Sequence, residues 1–198
     1  MKELIDRIAT SLPPMHGWCP IAKANAMAKA IIETRPETIV EIGVFGGRSL
    51  LAMAFACQSI HHGKVYGVDP WSAESALDSM DSSKDRDWWG KIDYENIYAS
   101  CLKAILDHNA HSVCSVFRTT SERAASLFDK VDMLHIDGNH SEKAATLDVT
   151  LWLPKVPSNG LIWLDDIEDG HLFNAIGLLN AQCDRLSDIG TCGVFKKR

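Results

Sequence analysis

Short runs of apolar and β-branched residues alternate along the chain with longer segments in which apolar residues recur at helical spacing. The short runs predict strands at 38–44, 65–68, 113–117, 132–136 and 161–164, and two further strands near the C-terminus. The helical spacing predicts helices at 21–34, 48–59, 92–107, 121–128, 141–153 and 171–182. Strands that alternate with helices require right-handed crossovers between parallel neighbours. We therefore expect an α/β fold with a mostly parallel, seven-stranded sheet and helices on both faces.

Two segments lie outside this alternation. An amphipathic stretch and the first helix form an N-terminal helical segment, 1–35, before Pro36. Residues 71–91 form an insertion that carries three tryptophans among charged residues: Trp71, Trp88 and Trp89. This insertion is expected either to close as a lid over an acceptor or to pack simply against the domain. The length of 198 residues suits one domain, 1–198, with a substantial core.

Composition narrows the classes of partner. Twenty basic and 26 acidic residues give a net charge of −6, so the chain has no overall positive field for a nucleic acid. No apolar stretch approaches the length of a membrane span, and the charged N-terminus does not resemble a signal peptide. The six cysteines form no CxxC pair. We therefore expect reduced thiols, a cytoplasmic protein and a small-molecule partner.

The first strand is followed by a glycine turn that begins a helix. A phosphate-binding P-loop would require glycine and lysine where the chain has Ile42 and Arg48, and a dinucleotide fingerprint is disturbed by Phe45. What remains is a turn with a carboxylate, Glu41, two positions before its first glycine, Gly43. A carboxylate there suits a ligand that carries an ammonium or a polarised hydroxyl, and the alternative is a tight turn that holds no ligand.

The second strand ends at Asp69, which precedes a proline. A carboxylate at this point of a nucleotide-binding fold commonly accepts hydrogen bonds from ribose hydroxyls. An aspartate before proline is also a common turn former, so both interpretations stay open.

Three carboxylates follow two later strands. Asp137 follows the strand at 132–136, and Asp165 and Asp166 follow the strand at 161–164. Crowded carboxylates must be neutralised by protonation, by arginines or by a cation. Because hard oxygen ligands favour Mg²⁺ over zinc, we expect a divalent hard cation here. The alternative is that the paired aspartates cap a helix.

A histidine lies three residues beyond the first of these carboxylates. His140 is suited to remove a proton from a hydroxyl near neutral pH, so it is the candidate general base. The alternative is a capping or solvent-facing histidine.

These motifs together resemble the class I S-adenosylmethionine-dependent methyltransferases. The pattern Glu41-x-Gly43-x-x-x-Gly47-x-Ser49 is similar to the first motif of the metal-dependent O-methyltransferases. The segment IDGNHSEKAATLDVTLWLPKVPSNGLIWLDD is similar to the branch that includes macrocin, mycinamicin and cephalosporin-pathway methyltransferases. The resemblance extends over roughly residues 36 to 170 and implies a Rossmann-like fold.

The resemblance also implies roles for individual residues. Glu41, Gly43, Gly47 and Ser49 would surround the methionine part of S-adenosylmethionine, and Asp69 would hold its ribose. Asp137, Asp165 and Asp166 would bind Mg²⁺ or Mn²⁺, and His140 would be the base. Some relatives use an acidic residue as base where this chain has Asn139, which cannot accept a proton and so favours His140.

The expected activity is metal-assisted methyl transfer to a hydroxyl of a sugar, a phenol or another small natural product. An NAD(P)-linked oxidoreductase is an alternative, since it shares the glycine turn and Asp69, but it leaves Asp165 and Asp166 without a role. A protein that binds the cofactor without turnover is a third possibility. The N-terminal segment is expected to dock on its own domain or on a second subunit of a homo-oligomer.

Overall fold

The computed structural model describes residues 1–79, 83–168, 170 and 172–198, and it describes only the backbone at 83–85. Residues 80–82 of the insertion predicted as a lid lie outside the described residues, as does residue 171, where the last predicted helix would begin.

The described elements follow the predicted alternation. The helices are α1 (Lys2–Ser11), α2 (Ile21–Thr34), α3 (Arg48–Ile60), α4 (Ala73–Leu77), α5 (Ser83–Trp89), α6 (Tyr94–Asp107), α7 (Ser121–Ala125), α8 (Glu142–Trp152) and α9 (Phe173–Gln182). The strands are β1 (Thr38–Ile42), β2 (Lys64–Asp69), β3 (Cys114–Arg118), β4 (Met133–Ile136), β5 (Leu161–Leu164), β6 (Cys183–Ile189) and β7 (Cys192–Lys197). Among these helices, none is long and apolar enough to cross a membrane.

Within the described residues the sheet has seven strands in the order β3-β2-β1-β4-β5-β7-β6. Strands β1 to β5 pair in parallel, whereas β7 is antiparallel to both β5 and β6. The prediction of a mostly parallel α/β sheet is therefore confirmed. The strand order reverses between β1 and β4, and ligands of such sheets bind at this point, beyond the carboxyl ends of the strands.

Each face of the sheet buries its own apolar cluster. One cluster joins Ile39 and Met133 to residues of α1, α2 and α3, and the other joins Val40 and Leu134 to residues of α7, α8 and α9. Neighbouring residues of one strand fall in different clusters because successive side chains of a strand point to opposite faces of the sheet. Helix α1 buries Leu4 and Ile8 in the first cluster, where it packs against α2 and α3.

The first strand ends two residues earlier than predicted. Gly43 leaves the extended conformation at φ +82°, and its N–H donates to the carbonyl of Val68 at 2.9 Å. The strand-like pattern of the sequence continues to Val44, but the turn at Gly43 ends β1 at Ile42. This turn leads directly into the candidate site.

Candidate functional site

The glycine turn packs against the end of β4. A Cβ at Gly43 would clash with the main-chain carbonyl of Asp137, and its positive φ is one that L side chains rarely adopt. Gly47, at φ +83°, precedes the first residue of α3. The turn therefore brings the end of β1, the start of α3 and Asp137 together.

Asp69 holds this turn in shape. One carboxylate oxygen, Oδ2, accepts hydrogen bonds from the N–H groups of Val44 and Phe45, each at 2.9 Å. The other oxygen, Oδ1, accepts from the N–H of Trp71 at 2.6 Å. Phe45 and Trp71 both have positive φ, so the carboxylate stabilises two unusual backbone conformations. Burial raises the pKa of Asp69 even though these N–H donors favour its charged form.

Glu41 lies beneath the turn and faces a histidine that the sequence interpretation missed. Glu41 and His135 are neighbours in the register of β1 and β4, and both are fully buried. Their Oε1 and Nδ1 atoms are 2.8 Å apart. Burial raises the pKa of Glu41 to about 8 and lowers the pKa of His135 well below its usual value. At neutral pH the pair is therefore predominantly uncharged and shares one proton. Ser49 is also buried, in the first turn of α3.

The three strand-end aspartates meet at one edge of the sheet. Asp137 follows β4 directly, and Asp165 follows β5, its N–H donating to the carbonyl of Ile136 at 3.0 Å. These two carboxylates and Asp166 line one small crevice together with His140. Asp165 is buried, whereas Asp137 and Asp166 each keep about a quarter of the side chain exposed. Asp166 has φ +59°, an uncommon conformation for a residue with a side chain.

A lysine from the N-terminal segment reaches these carboxylates. Lys23, in the first turn of α2, is 4% exposed, and its Nζ lies 3.1 Å from Oδ2 of Asp137 and in contact with Oδ2 of Asp165. Burial lowers the pKa of Lys23, but Asp137 and the other nearby groups together outweigh it and the pKa is raised, so the ammonium stays charged. The sequence interpretation missed Lys23. A signal was present, since Lys23 is four residues before Met27 on the apolar face of α2.

His140 pairs with Asp166. The Nδ1 atom of His140 contacts Oδ2 of Asp166, and the imidazole side chain is 39% exposed. A carboxylate on one ring nitrogen of a histidine fixes the tautomer of the imidazole. The neighbouring Asn139 donates from Nδ2 to the carbonyls of Ser75, Ala76 and Asp78 at 2.8–3.2 Å. This amide ties the insertion to the edge that carries His140.

Aromatic rings from the N-terminal segment, the glycine turn and the insertion meet above this edge. The ring of Trp18 stacks on Phe45 at 5.3 Å and lies 5.4 Å from Trp88, and Trp89 lies 5.8 Å from Phe45. Trp89 is also 6.4 Å from the ring of His140. A cavity of about 360 Å³ is lined by Trp18, Phe45 and Trp88 together with residues of α6 and of the segment before it.

Trp71 has a different position from the other two tryptophans of the insertion. It is 1% exposed, its ring lies 4.7 Å from that of Tyr98, and its Nε1 donates to the carbonyl of Phe45 at 2.9 Å. Trp71 is therefore part of the core, whereas Trp88 and Trp89 belong to the aromatic cluster.

A second group of possible metal ligands lies deeper. Ligand atoms of His135, Asp165 and Cys192 lie within 4.8 Å of one another. Burial raises the pKa of the Cys192 thiol to about 12.

A known protein family matches the part of the chain that forms most of this site. A family model described as a methyltransferase domain matches residues 40–167, which include the glycine turn, Asp69 and all three strand-end aspartates. No curated protein matches the chain in sequence.

Solved structures with the same fold include three methyltransferases. An O-methyltransferase from Bacillus cereus, in complex with S-adenosylhomocysteine, is 15% identical with a TM-score of 0.62 over 99% of this chain and 90% of that one. TomG from Streptomyces achromogenes, an O-methyltransferase of tomaymycin synthesis in complex with S-adenosylmethionine, is 13% identical with a TM-score of 0.67 over 99% and 90%. The methyltransferase PaMTH1 from Podospora anserina, with S-adenosylhomocysteine bound, is 14% identical with a TM-score of 0.62 over 100% and 87%. At these identities the likeness shows the fold, which is the Rossmann-like methyltransferase fold.

Proposed function

The chain belongs to the family of methyltransferase domains, and from that membership we propose that it transfers the methyl group of S-adenosylmethionine to a hydroxyl of a small molecule. One observation supports the proposal most directly. The pair of His140 and Asp166 stands at the carboxyl edge of the sheet, beside Asp137 and Asp165 and below the aromatic cluster. A base oriented by a carboxylate is what removal of a hydroxyl proton requires.

For the cofactor, we propose the glycine turn and the ends of β1 and β2. Gly43 and Gly47 shape the turn, and Glu41 and Ser49 lie buried beneath it. Asp69 is partly exposed, and its carboxylate accepts hydrogen bonds from three N–H groups. We propose that it also accepts from the ribose hydroxyls. Two of the solved O-methyltransferases with this fold hold S-adenosylmethionine or S-adenosylhomocysteine. When bound, the cofactor supplies a methyl group activated by its sulfonium.

The carboxylates also suit a divalent cation, Mg²⁺ or Mn²⁺. Oδ1 of Asp165 is buried and has no hydrogen-bond partner among the described residues. The ammonium of Lys23 contacts Asp137 and Asp165, and it is a single positive charge beside three carboxyl groups. The donors are hard oxygens, as Mg²⁺ prefers. We propose that these three aspartates hold the ion, which would lower the pKa of the acceptor hydroxyl.

The chain's own contribution to the reaction is a proton acceptor in a fixed place. His140 takes the hydroxyl proton, and Asp166 stabilises the imidazolium that results. A new bond forms between the acceptor oxygen and the methyl carbon, the carbon–sulfur bond breaks, and its electron pair stays on sulfur. Trp88, Trp89 and Trp18 exclude water from the acceptor.

The acceptor pocket is proposed to lie in the aromatic cluster. Its volume of about 360 Å³ suits a small molecule. The lining by Trp18, Phe45 and Trp88 favours a sugar, phenol or natural product that presents a flat or apolar face to the rings. We propose residues 71–91 as the lid, with Trp71 as its fixed base.

We also propose that the chain belongs to the branch of the macrocin, mycinamicin and cephalosporin-pathway methyltransferases, which its motifs resemble. All six cysteines are free and buried, so we propose the reducing cytoplasm as its compartment. We propose no nucleic-acid partner and no membrane partner. A homo-oligomer of this chain is compatible with the proposal.

The test is methyl transfer from labelled S-adenosylmethionine to a panel of sugars, phenols and natural-product alcohols. We expect turnover of at least one acceptor, abolition by EDTA and recovery on addition of Mg²⁺ or Mn²⁺. Activity unchanged by EDTA would refute the metal role of Asp137, Asp165 and Asp166.

A second measurement tests the base. His140→Ala is expected to lower kcat by about 100-fold or more while the Kd for S-adenosylhomocysteine changes little. His111→Ala, at an exposed position, is the matched control. Equal kcat in the wild type and His140→Ala at neutral pH would remove His140 as base.

Calorimetry separates the alternatives from the main proposal. Binding of S-adenosylhomocysteine without any response to NADH excludes the oxidoreductase. Binding without turnover across the whole acceptor panel would instead favour a cofactor-binding protein without activity.

A further inference from the structure

We propose that Lys23 is a resident cation of the carboxylate site formed by Asp137, Asp165 and Asp166. Its ammonium holds the first two carboxylates in place and fixes the charge that a divalent ion meets. The inference rests on the proposed methyl-transfer site and adds to it a positioning residue from the N-terminal segment, outside the matched domain.

The burial of Lys23 needs an explanation. A lysine is almost never fully buried unless it is paired, because removing an ammonium from water is costly. Lys23 is 4% exposed, and its Nζ contacts carboxylates that follow two different strands, β4 and β5. Lys29 on the same helix is exposed and pairs with Glu33 one turn later. Lys23 therefore points into the carboxylate site, whereas Lys29 is an ordinary surface residue.

A buried histidine lies next to the ammonium. This residue, His135, has Nε2 at 3.6 Å from Oδ2 of Asp137 and 3.5 Å from Oδ2 of Asp165. Lys23 is closer to both carboxylates than this histidine, and its ammonium offsets the mutual repulsion of Asp137 and Asp165.

The charge that remains determines how an added ion binds. Replacing Lys23 by an uncharged residue removes one positive charge from beside the three carboxyl groups. A divalent ion bound by Asp137 and Asp165 is also repelled by the ammonium that shares them. Removing the ammonium should therefore strengthen cation binding, although it releases the two carboxylates from their fixed orientation.

Lys23 also connects the site to the acceptor pocket. It lies five residues after Trp18, which stacks on Phe45 and lines the cavity of the aromatic cluster. The contact with Asp137 and Asp165 thus fixes the start of α2, and with it the position of Trp18. A change at Lys23 should affect turnover more than binding of the cofactor.

The experiment compares Lys23→Met, Lys23→Arg and the control Lys29→Met in the full chain. Mn²⁺ alone is titrated by calorimetry and followed by electron paramagnetic resonance. We expect Lys23→Met to bind Mn²⁺ at least about tenfold more tightly than the wild type, because the like charge is gone. At saturating Mn²⁺ its kcat should fall at least about tenfold while the Kd for S-adenosylhomocysteine stays within about twofold. Lys23→Arg should keep the wild-type affinity for Mn²⁺ within about threefold, as should Lys29→Met.

Equal Mn²⁺ affinity in the wild type and the three variants would overturn the inference, and so would the absence of Mn²⁺ binding in all four proteins. A kcat of Lys23→Met equal to that of the wild type would overturn it as well. Thermal unfolding by circular dichroism confirms that each variant is folded, and Lys23→Gln provides the same comparison should Lys23→Met not fold. Failure of the proposed function has a different signature. The wild type would then methylate no acceptor, while the difference in Mn²⁺ affinity between the wild type and Lys23→Met would persist.

Discussion

The buried carboxyl of Glu41 should make the stability of the protein depend on pH in a defined direction. Its pKa is about 8 in the folded protein, against an ordinary value of 4.5. As the pH rises between these values, the unfolded chain releases the proton while the folded chain keeps it, so folding stability falls. The shift of 8 − 4.5, or about 3.5 pH units, corresponds to at most about 5 kcal/mol.

Glu41→Gln keeps the shape of the side chain and removes the ionisation. We expect the free energy of unfolding of this variant, relative to the wild type, to rise by about 3 to 4 kcal/mol between about pH 5 and pH 8. Urea denaturation at a series of pH values measures the difference. Loss of stability below about pH 6.5 should remain in both proteins, because the buried His135 has a lowered pKa and is protonated more readily in the unfolded chain.

Glu33→Gln, an exposed position on α2, is the matched control and should show a difference independent of pH. A stability difference between Glu41→Gln and the wild type that stays flat from about pH 5 to pH 8 would refute the reasoning. It would mean that Glu41 is ionised in the folded protein and that His135 carries the shared proton.

Two further substitutions test the fold around the site. Gly43→Ala should lower the free energy of unfolding by about 2 kcal/mol or more and weaken binding of S-adenosylhomocysteine, because its Cβ would clash with the carbonyl of Asp137 at a strained φ; chemical denaturation and calorimetry measure both, and a stable variant with intact binding would contradict this packing. Asp148→Asn should gain stability relative to the wild type as the pH rises from about 4 to about 7, because burial raises the pKa of Asp148 from 3.8 to about 7; thermal melts across this range measure the gain, and a difference that does not change with pH would contradict the raised pKa.

Most of the candidate site could be located from the sequence, because local hydrophobic patterns are enough to predict the fold class. Alternating strand and helix patterns imply a parallel sheet, and a parallel sheet places every strand end at one edge. Asp69, Asp137 and Asp165 are found at that edge for this reason. His140 follows β4 closely enough along the chain to lie there too.

The partners of those residues could not be predicted in the same way. The pairing of Glu41 with His135 depends on the register of β1 and β4, which no local pattern specifies. Asp69 was expected to face a ribose, and its contacts with the N–H groups of Val44 and Phe45 depend on the shape of the folded turn.

The amino-acid sequence by itself determined the order of the elements, the parallel sheet and the carboxylates that follow its strands, since each depends on hydrophobic periodicity or on residues close in the chain. Only the tertiary structure decided how those carboxylates are neutralised. Lys23 is separated by more than 100 residues from Asp137 and Asp165, and only the docking of α2 brings the three together. Charge interactions depend on distance in space and on exclusion of water, and both are set when the helices pack on the sheet.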